Sequence, residues 1–397
     1  MSVSSEREPI TGRTKYSLRA LAIHRFFLRA ALSGVSIFAW VFLFQYFYLT
    51  GGDLSRAFAQ SAFLYALCST ITCLITPLSA RILRGGARRS LLFATLLCAS
   101  AFVFLGAAFG GFWTSNTALA IAFFAILMGV YRALYWVPYE IEASVQKKPS
   151  RSVVSEMVLA LAPAIGGIFI AWNSFAAISI LYVGALLLFI STVPIFFLRD
   201  VHEHFSWGYR QTFHELLAAK HRTIFTHGLL EGVSGAALVF FWPLAIFLIT
   251  GWSYSVLGIV LTITLLAAIC LRTPVRALVR SLGLSDSRVL SATLAVTPWL
   301  FRLVIGSPLG VVLVDSYFYT TTPRRFAVDP LAFEQASDGG SLLDEYTAIK
   351  EMALSLGRVA VCVLGAGAVL LASVPVAFLI VFVAAAASSV ALTLRAR

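Results

Sequence analysis

The feature of this sequence that most constrains its fold is a series of twelve apolar windows along the whole chain. They cover residues 26–49, 57–79, 90–111, 117–144, 153–172, 175–198, 224–250, 254–271, 288–306, 308–323, 346–372 and 374–394. About 20 apolar residues are needed for one helix to cross a bilayer, and backbone in lipid must satisfy its own hydrogen bonds. The windows therefore predict an all-α membrane protein with twelve transmembrane helices, numbered here span 1 to span 12.

The composition excludes several other classes of protein. Of 397 residues, 59% are hydrophobic and 12% are charged, whereas soluble domains carry about 25% charged residues. This excludes a cytosolic enzyme and a nucleic-acid-binding module, and continuous apolar runs exclude an outer-membrane barrel. The cysteines all lie in or at the edge of apolar runs without metal-ligand spacing, so we expect neither disulfides nor a metal site: Cys68, Cys73, Cys98, Cys270 and Cys362.

The charged loops predict how the chain is oriented. The short loops that follow odd-numbered spans contain one basic residue, Arg56. The others carry Arg81, Arg84, Arg88, Arg89, Lys147, Lys148, Arg151, Arg199, Arg210, Lys220, Arg222, Arg272, Arg276, Arg280, Arg288, Arg324 and Arg325. By the positive-inside rule both termini face the cytoplasm, and we expect a plasma membrane, or the inner membrane of a bacterium. The first apolar run is too long for a signal-peptide core, so it predicts an uncleaved span.

An internal repeat divides the chain into two halves. Leu32-x-Gly34-Val35-Ser36 matches Leu230-x-Gly232-Val233-Ser234, Arg81-x-Leu83 matches Arg276-x-Leu278, and Glu156-Met157 matches Glu351-Met352, at offsets of 198, 195 and 195 residues. We therefore expect two pseudo-symmetric six-span halves, residues 1–198 and 224–397, joined by a cytoplasmic linker at 199–223. Within the linker, residues 213–217 predict an amphipathic helix, and its histidines are interpreted as solvated rather than metal-binding.

Two local motifs accompany this pattern. The segment 77–89 keeps Gly86, Arg88 and Arg89 of the pattern Gly-x-x-x-Asp-Arg-x-Gly-Arg-Arg, but lacks its acidic residue. In span 5, Ala162-Pro163-Ala164-Ile165-Gly166-Gly167 is similar to Gly-Pro-x-x-Gly-Gly, with alanine in place of the first glycine. With twelve spans in two halves, these motifs resemble the major facilitator superfamily over the whole chain, and the second resembles its proton-driven antiporters. The resemblance implies a secondary transporter that rocks about a central site.

Span 4 contains the clearest candidates for substrate contact. Arg132, Trp136 and Glu140 follow at i, i+4 and i+8 and so share one helix face, with Tyr135 on the adjacent stripe. A cation, an indole and a carboxylate in line suit a polar or aromatic substrate. The alternative for Glu140 is a position at the cytoplasmic mouth, paired with a basic loop residue. Gln45, late in span 1, is a further candidate for a hydrogen bond to substrate.

Three carboxylates at membrane depth are candidates for proton coupling: Asp315 in span 10, Glu231 in span 7 and Glu351 in span 11. A charge at this depth costs about 2.5–3.5 kcal/mol on insertion scales, so such groups face a cavity or a partner. A buried pair is the alternative, formed by Asp315 with Arg302 or Arg358, or by Glu231 with Arg25 or Arg29.

Three basic residues and one tyrosine of the second half have different expected roles. Arg358 stands where the repeat has Pro163, so we expect it to contact substrate or a carboxylate. Tyr319, one turn after the candidate carboxylate of span 10, is a further substrate-binding candidate. Arg302 is expected near the outer surface, at a gate or lipid headgroups, and Lys350 at the cytoplasmic interface.

These observations predict a proton-coupled secondary transporter that exports a small organic molecule, and not an enzyme. The alternatives are uptake of a polar or anionic metabolite and a lipid flippase of the same fold. No GxxxxGK[ST] loop occurs, which argues against an ATP-driven pump. We expect no cofactor or nucleic-acid partner, and a monomer that interacts with its substrate, protons and membrane lipids.

Overall fold

The computed structural model describes residues 15–112, 116–145, 153–172, 176–198, 200, 202, 205–281, 288–321 and 343–395. Within these residues all regular secondary structure is helical, and ten helices are long and apolar enough to cross a membrane. The basic loop residues Lys147, Lys148, Arg151, Arg199, Arg324 and Arg325 lie outside the described residues.

The helices of the first half follow the predicted windows. Span 1 comprises Lys15–Ala31, a π-helical turn at Leu32–Ser36 and Ile37–Gly51; span 2 is Leu54–Ile82, span 3 Ala87–Phe109, span 4 Thr117–Val145, span 5 Val153–Trp172 and span 6 Ala176–Thr192, followed by a 3-10 turn at Val193–Phe197. Asp53 begins span 2 as its N-cap, since its carboxylate accepts from Ser55 N at 2.9 Å.

The second half follows a linker helix at Tyr209–Leu217. Span 7 comprises Arg222–Ala236, a π-helical turn at Ala237–Phe241 and Trp242–Ile249; span 8 is Tyr254–Ser281, span 9 Arg288–Val304, span 10 Pro308–Thr321, span 11 Leu343–Leu371 and span 12 Val374–Arg395. Spans 9 and 10 have only 17 and 14 residues, fewer than a full crossing normally requires.

The internal repeat appears as the same helix contact in both halves. In the first half, a Cβ placed on Gly34 of span 1 would lie 3.6 Å from Ala162 Cβ of span 5. At the equivalent position Gly232 of span 7, a Cβ would lie 3.1 Å from the Cα of Gly357 on span 11. Small residues at these positions let the helix backbones approach closely.

The two halves pack on one another through spans 5 and 8. A Cβ on Gly167 would lie 3.2 Å from the Cα of Gly258, so the two backbones are in contact there. The Ala164 N–H also donates to Thr262 Oγ1 at 2.9 Å. The span 5 motif therefore forms part of the interface between the halves.

The halves also meet at both ends of the molecule. At one end, called here the linker end, Phe205 packs between Ala80 of span 2 and Ala348 of span 11. At the opposite end, the ring of Phe44 stacks on Trp252 at 5.7 Å between centroids. Among the described residues, contacts thus join the halves near each end.

The linker is tied to both halves. Ser206 Oγ donates to Glu345 Oε1 of span 11 at 2.7 Å, and Leu216 of the predicted amphipathic helix packs in the same apolar cluster as Cys73 of span 2. At the end of this helix Lys220 lies 2.7 Å from Glu215 and lowers the pKa of that carboxyl. The linker thus connects spans 2 and 11 as well as joining the halves in sequence.

An acidic residue does lie at the loop after span 2, although the local motif lacks one. Asp200 Oδ1 accepts from Arg88 N at 3.0 Å, at the start of span 3. Gly86 has φ +107°, and a Cβ there would lie 2.3 Å from the Asp200 carboxylate. Asp200 therefore supplies from the linker a carboxylate that segment 77–89 does not contain.

Candidate functional site

Arg132 of span 4 is buried between helices of the first half. Only 3% of the residue is exposed. Its Nη1 donates to Cys68 Sγ of span 2 at 3.7 Å, and its guanidinium carbon lies 5.1 Å from the centre of the Tyr65 ring. The thiol is a weak acceptor, and the aromatic face stabilises the cation.

Arg358 of span 11 approaches the same place from the second half. It is 2% exposed, and among the described residues its Nη1 has no hydrogen-bond partner. The Cys362 thiol, one turn further along span 11, interacts electrostatically with both Arg132 and Arg358, and with Cys68. Two predicted substrate-binding arginines, one from each half, thus lie in the surroundings of the same buried thiol. We call them the arginine pair.

Aromatic rings border the arginine pair. The indole of Trp40 lies 4.9 Å from the Tyr65 ring and 5.7 Å from that of Phe240. Tyr65 in turn stacks on Phe240 at 4.7 Å, which joins span 2 to the π-helical turn of span 7. All three rings are buried, and Trp40 Nε1 has no hydrogen-bond partner among the described residues. Arg132 therefore adjoins an apolar wall built by both halves.

The other residues predicted on span 4 are buried in a polar cluster of the first half. Tyr135 is stacked on Tyr139 at 5.4 Å, and Trp136 is perpendicular to it at 5.0 Å. Glu140 is buried and interacts electrostatically with Tyr135. Trp136 Nε1 has no hydrogen-bond partner in the described part of the chain.

Sequence analysis did not identify the partner of Tyr135, which is His24 of span 1. His24 Nδ1 lies 2.7 Å from Ser191 O, so this nitrogen donates, and Nε2 at 3.1 Å accepts from the Tyr135 hydroxyl. The available signal was a histidine just before the first apolar window, beside Arg25, which hydrogen-bonds the Tyr139 hydroxyl.

Asp315 forms a buried ion pair, the alternative considered for it. Arg302 Nη2 lies 2.7 Å from Asp315 Oδ1, and Trp242 Nε1 donates to Oδ2 at 2.7 Å. Arg302 is further enclosed by rings at 4.4–5.0 Å, those of Trp299, Phe318 and Trp242. The side chain of Arg302 is fully buried against these partners, so it does not reach lipid headgroups.

Glu231 lies near the linker end of span 7 and is paired with two bases. Its Oε2 is 3.6 Å from Lys350 Nζ and 3.7 Å from His227 Nδ1. Lys350 is buried against span 7, with its ammonium group towards Glu231. The ion pair between Glu231 and Lys350 thus joins spans 7 and 11 near the linker end.

The three remaining candidates lie in different surroundings. Gln45 Oε1 accepts from the Tyr254 hydroxyl, which joins span 1 to span 8 near the end opposite the linker. Tyr319 of span 10 packs on Phe318, with ring centres 5.2 Å apart. Glu351 is buried on span 11, two turns before Arg358.

Comparison with solved structures identifies the fold. The chain is similar to the human organic anion transporter MFSD10 (TETRAN), with TM-score 0.56 and 11% identity over 95% of this chain and 99% of that one. A mutant of the nucleoside transporter NupG gives TM-score 0.57 and 13% identity, covering 95% and 98%, and a mutant of the peptide transporter POT gives 0.57 and 14%, covering 96% and 94%. No family model and no curated protein matches the sequence. The chain therefore has the fold of major facilitator superfamily transporters.

Proposed function

We propose that this protein is a secondary active transporter that moves a small organic molecule across the membrane by alternating access. The arginine pair carries this proposal, because a site made by both halves changes its exposure when the halves rock. Contacts between the halves at both ends, at Phe205 and at Trp252, are those that such rocking would break in turn. The similar structures, transporters of organic anions, nucleosides and peptides, support the same function.

We further propose that transport is coupled to protons through Glu231. This carboxylate is buried and paired with Lys350 across spans 7 and 11, so its protonation would loosen a contact between two helices. Asp315 is less suited to this role, because two side chains donate to its carboxylate within a rigid aromatic enclosure. Glu351, buried on span 11 between Lys350 and Arg358 in the sequence, is a second coupling candidate.

The proposed direction is export in exchange for protons. The span 5 motif supports this direction. Gly167 of the motif contacts Gly258 of the other half, and such a contact is expected of a motif that governs how the halves move. Uptake is the second candidate, and the arginine pair favours it, since an anion and a proton moving together carry no net charge. The sign of the pH gradient that drives movement distinguishes the two directions.

The test begins with thermal unfolding of the purified protein against drugs, sugars, amino acids, carboxylates and lipids at two pH values. A compound that binds the folded state raises the unfolding temperature. The compounds that do so are then offered to proteoliposomes under an imposed pH gradient. We expect at least one to move against its own concentration gradient.

Glu231→Gln should abolish gradient-driven accumulation and leave exchange of substrate for substrate intact, because only the proton step is lost. The control is Asp53→Asn, which removes an exposed carboxylate paired with Arg56 and should change neither. Full accumulation by Glu231→Gln would refute the coupling role. A protein stabilised by lipids alone, with no soluble compound moved, would refute the transporter of soluble molecules in favour of a flippase.

A further inference from the structure

We propose that the π-helical turn of span 1, Leu32–Ser36, is a joint at which this helix changes shape when the halves rock, and that Gly166 and Gly184 make room for the turn. The proposal rests on the proposed transport function. It goes beyond that function, because rocking of two rigid halves needs no joint inside a helix.

The geometry of a π turn allows such a change of shape. Each N–H group bonds to the carbonyl five residues back instead of four, so the turn holds one residue more than an α-helical turn. Conversion to α geometry therefore moves the following segment by the step of one residue, about 100° of rotation and about 1.5 Å of rise. Single π turns in α-helices are frequent at functional sites.

The π turns of spans 1 and 7 have different causes. In span 7 the turn Ala237–Phe241 lies just before Pro243. Proline has no N–H, and its ring clashes with the carbonyl four residues back, that of Val239, so the wider turn relieves a conflict within the helix. Span 1 contains no proline. Its own sequence therefore leaves α geometry open to residues 32–36.

Two glycines of neighbouring helices accommodate the turn of span 1. A Cβ on Gly166 of span 5 would lie 2.8 Å from the Gly34 carbonyl oxygen, and a Cβ on Gly184 of span 6 would lie 2.8 Å from Val35 Cγ2. Gly34 and Val35 both belong to the turn and are buried. The extra width of the turn thus occupies the space that the two glycines leave, and α geometry would withdraw the Gly34 carbonyl from span 5.

The turn also separates two parts of span 1 that have different contacts. Before the turn, His24 is hydrogen-bonded to Tyr135 of span 4, in the same half. After the turn, the Trp40 ring lies 5.7 Å from that of Phe240 of span 7, and Gln45 accepts from a tyrosine hydroxyl of span 8. A joint between the two parts lets the second part move with the other half while the first part stays fixed in its own.

The first experiment deletes one residue and needs no substrate. Deletion of Ser33 gives the turn the length of an α-helical turn, so both parts of span 1 keep their orientation. The unfolding temperature in lipid nanodiscs should then stay within a few degrees of that of the unsubstituted protein.

The matched control is deletion of Ser100, also a half-buried serine, from the α-helical span 3. This deletion rotates the rest of span 3 by about 100° relative to its neighbours, so it should lower the unfolding temperature much further. Equal decreases for the two deletions would show that the turn of span 1 holds no spare residue, and would overturn the proposal.

The second experiment tests whether Gly166 accommodates the turn. Gly166→Ala should lower the unfolding temperature by several degrees, because its methyl group meets the Gly34 carbonyl. In the chain without Ser33 this carbonyl is withdrawn, so the same substitution should cost much less. Gly367→Ala, whose Cβ would meet nothing within 4 Å, should have no such dependence on the deletion. In this double-mutant cycle, an equal decrease for Gly166→Ala in both chains would refute its role.

The third experiment measures distances between the halves by double electron–electron resonance, at two pH values. Cys270 is replaced by serine and the four buried cysteines are kept. Exposed positions carry the spin labels at the linker end and at the opposite end, respectively: Arg89→Cys with Arg222→Cys, and Arg56→Cys with Leu371→Cys. We expect two distance populations at each end before deletion of Ser33 and one population after it.

The outcomes separate this proposal from the proposed function. A single population at both ends and both pH values before deletion would contradict rocking of the halves, and therefore the proposed function together with this proposal. Two populations that persist after deletion of Ser33 would overturn the role of the turn alone and leave the transporter standing.

Discussion

At the level of single residues, two buried arginines of the second half differ in their partners. Arg302 has a carboxylate partner and three aromatic rings around it. Arg358 is equally buried, but one of its nitrogens lacks a hydrogen-bond partner among the described residues. The first arrangement is typical of a structural contact, and the second of a binding site that a ligand completes.

The structural pair gives a first prediction. Asp315→Asn should lower the free energy of unfolding by about 3–5 kcal/mol, because the Arg302 charge then stays buried without its counter-charge. Thermal unfolding in nanodiscs measures this. Asp53→Asn is the control, since its ion pair with Arg56 is exposed and such pairs contribute about 0–1 kcal/mol. An Asp315→Asn protein as stable as the unsubstituted one would show that the carboxylate is not a structural partner.

At the scale of helices, glycine decides how closely spans 7 and 11 approach. A Cβ on Gly357 would lie 2.1 Å from the Leu229 carbonyl oxygen, a distance at which the two helices must move apart. Gly367, further along span 11, would meet nothing within 4 Å. Span 11 thus contains one glycine that close packing requires, Gly357, and one that it does not require, Gly367.

The second prediction compares these two positions. Gly357→Ala should lower the unfolding temperature by several degrees, whereas Gly367→Ala should be neutral or stabilising by up to about 1 kcal/mol, the helix propensity that alanine adds. Thermal unfolding of the two variants tests this. Equal effects at both positions would mean that close approach of spans 7 and 11 does not stabilise the half.

At the scale of the whole molecule, contacts between the halves should have to break during transport, whereas contacts within a half should not. Gly34 and Ala162 belong to one half and lie close enough for a disulfide, with a Cβ separation of 3.6 Å. Ala164 and Thr262 join the two halves, linked by a hydrogen bond of 2.9 Å. These two nearby pairs allow a matched comparison.

The third prediction is that a disulfide between the halves stops transport and one within a half does not. With the exposed Cys270 replaced by serine and the four buried cysteines kept, Ala164→Cys with Thr262→Cys should be inactive when oxidised and recover when reduced. Gly34→Cys with Ala162→Cys should stay active in both states. Substrate uptake by proteoliposomes measures this, and unchanged uptake with the cross-half disulfide formed would contradict alternating access.

The sequence predicted much of the architecture but less of the site. Continuous apolar windows predict helices in lipid because a helix satisfies its own backbone hydrogen bonds there. The repeat predicted two related halves, and in the structure Gly34 and Gly232 make equivalent contacts. The pairing of Asp315 with Arg302 was one of two alternatives. A sequence indicates how deep a residue lies in the membrane, but it does not show which residues the side chain contacts. Glu231 illustrates the same limit, since Lys350 and His227 were not among its predicted partners.

By itself, the sequence determined that this chain is an all-α membrane protein built from two related halves, because hydrophobic length and repeated motifs are properties of the chain alone. Which charged side chains lie near one another depends on the folded molecule. Arg132 and Arg358 are more than two hundred residues apart in the sequence, and no local pattern indicates that both reach Cys362. Their meeting depends on how span 4 and span 11 pack across the interface, and packing is a property of the folded molecule.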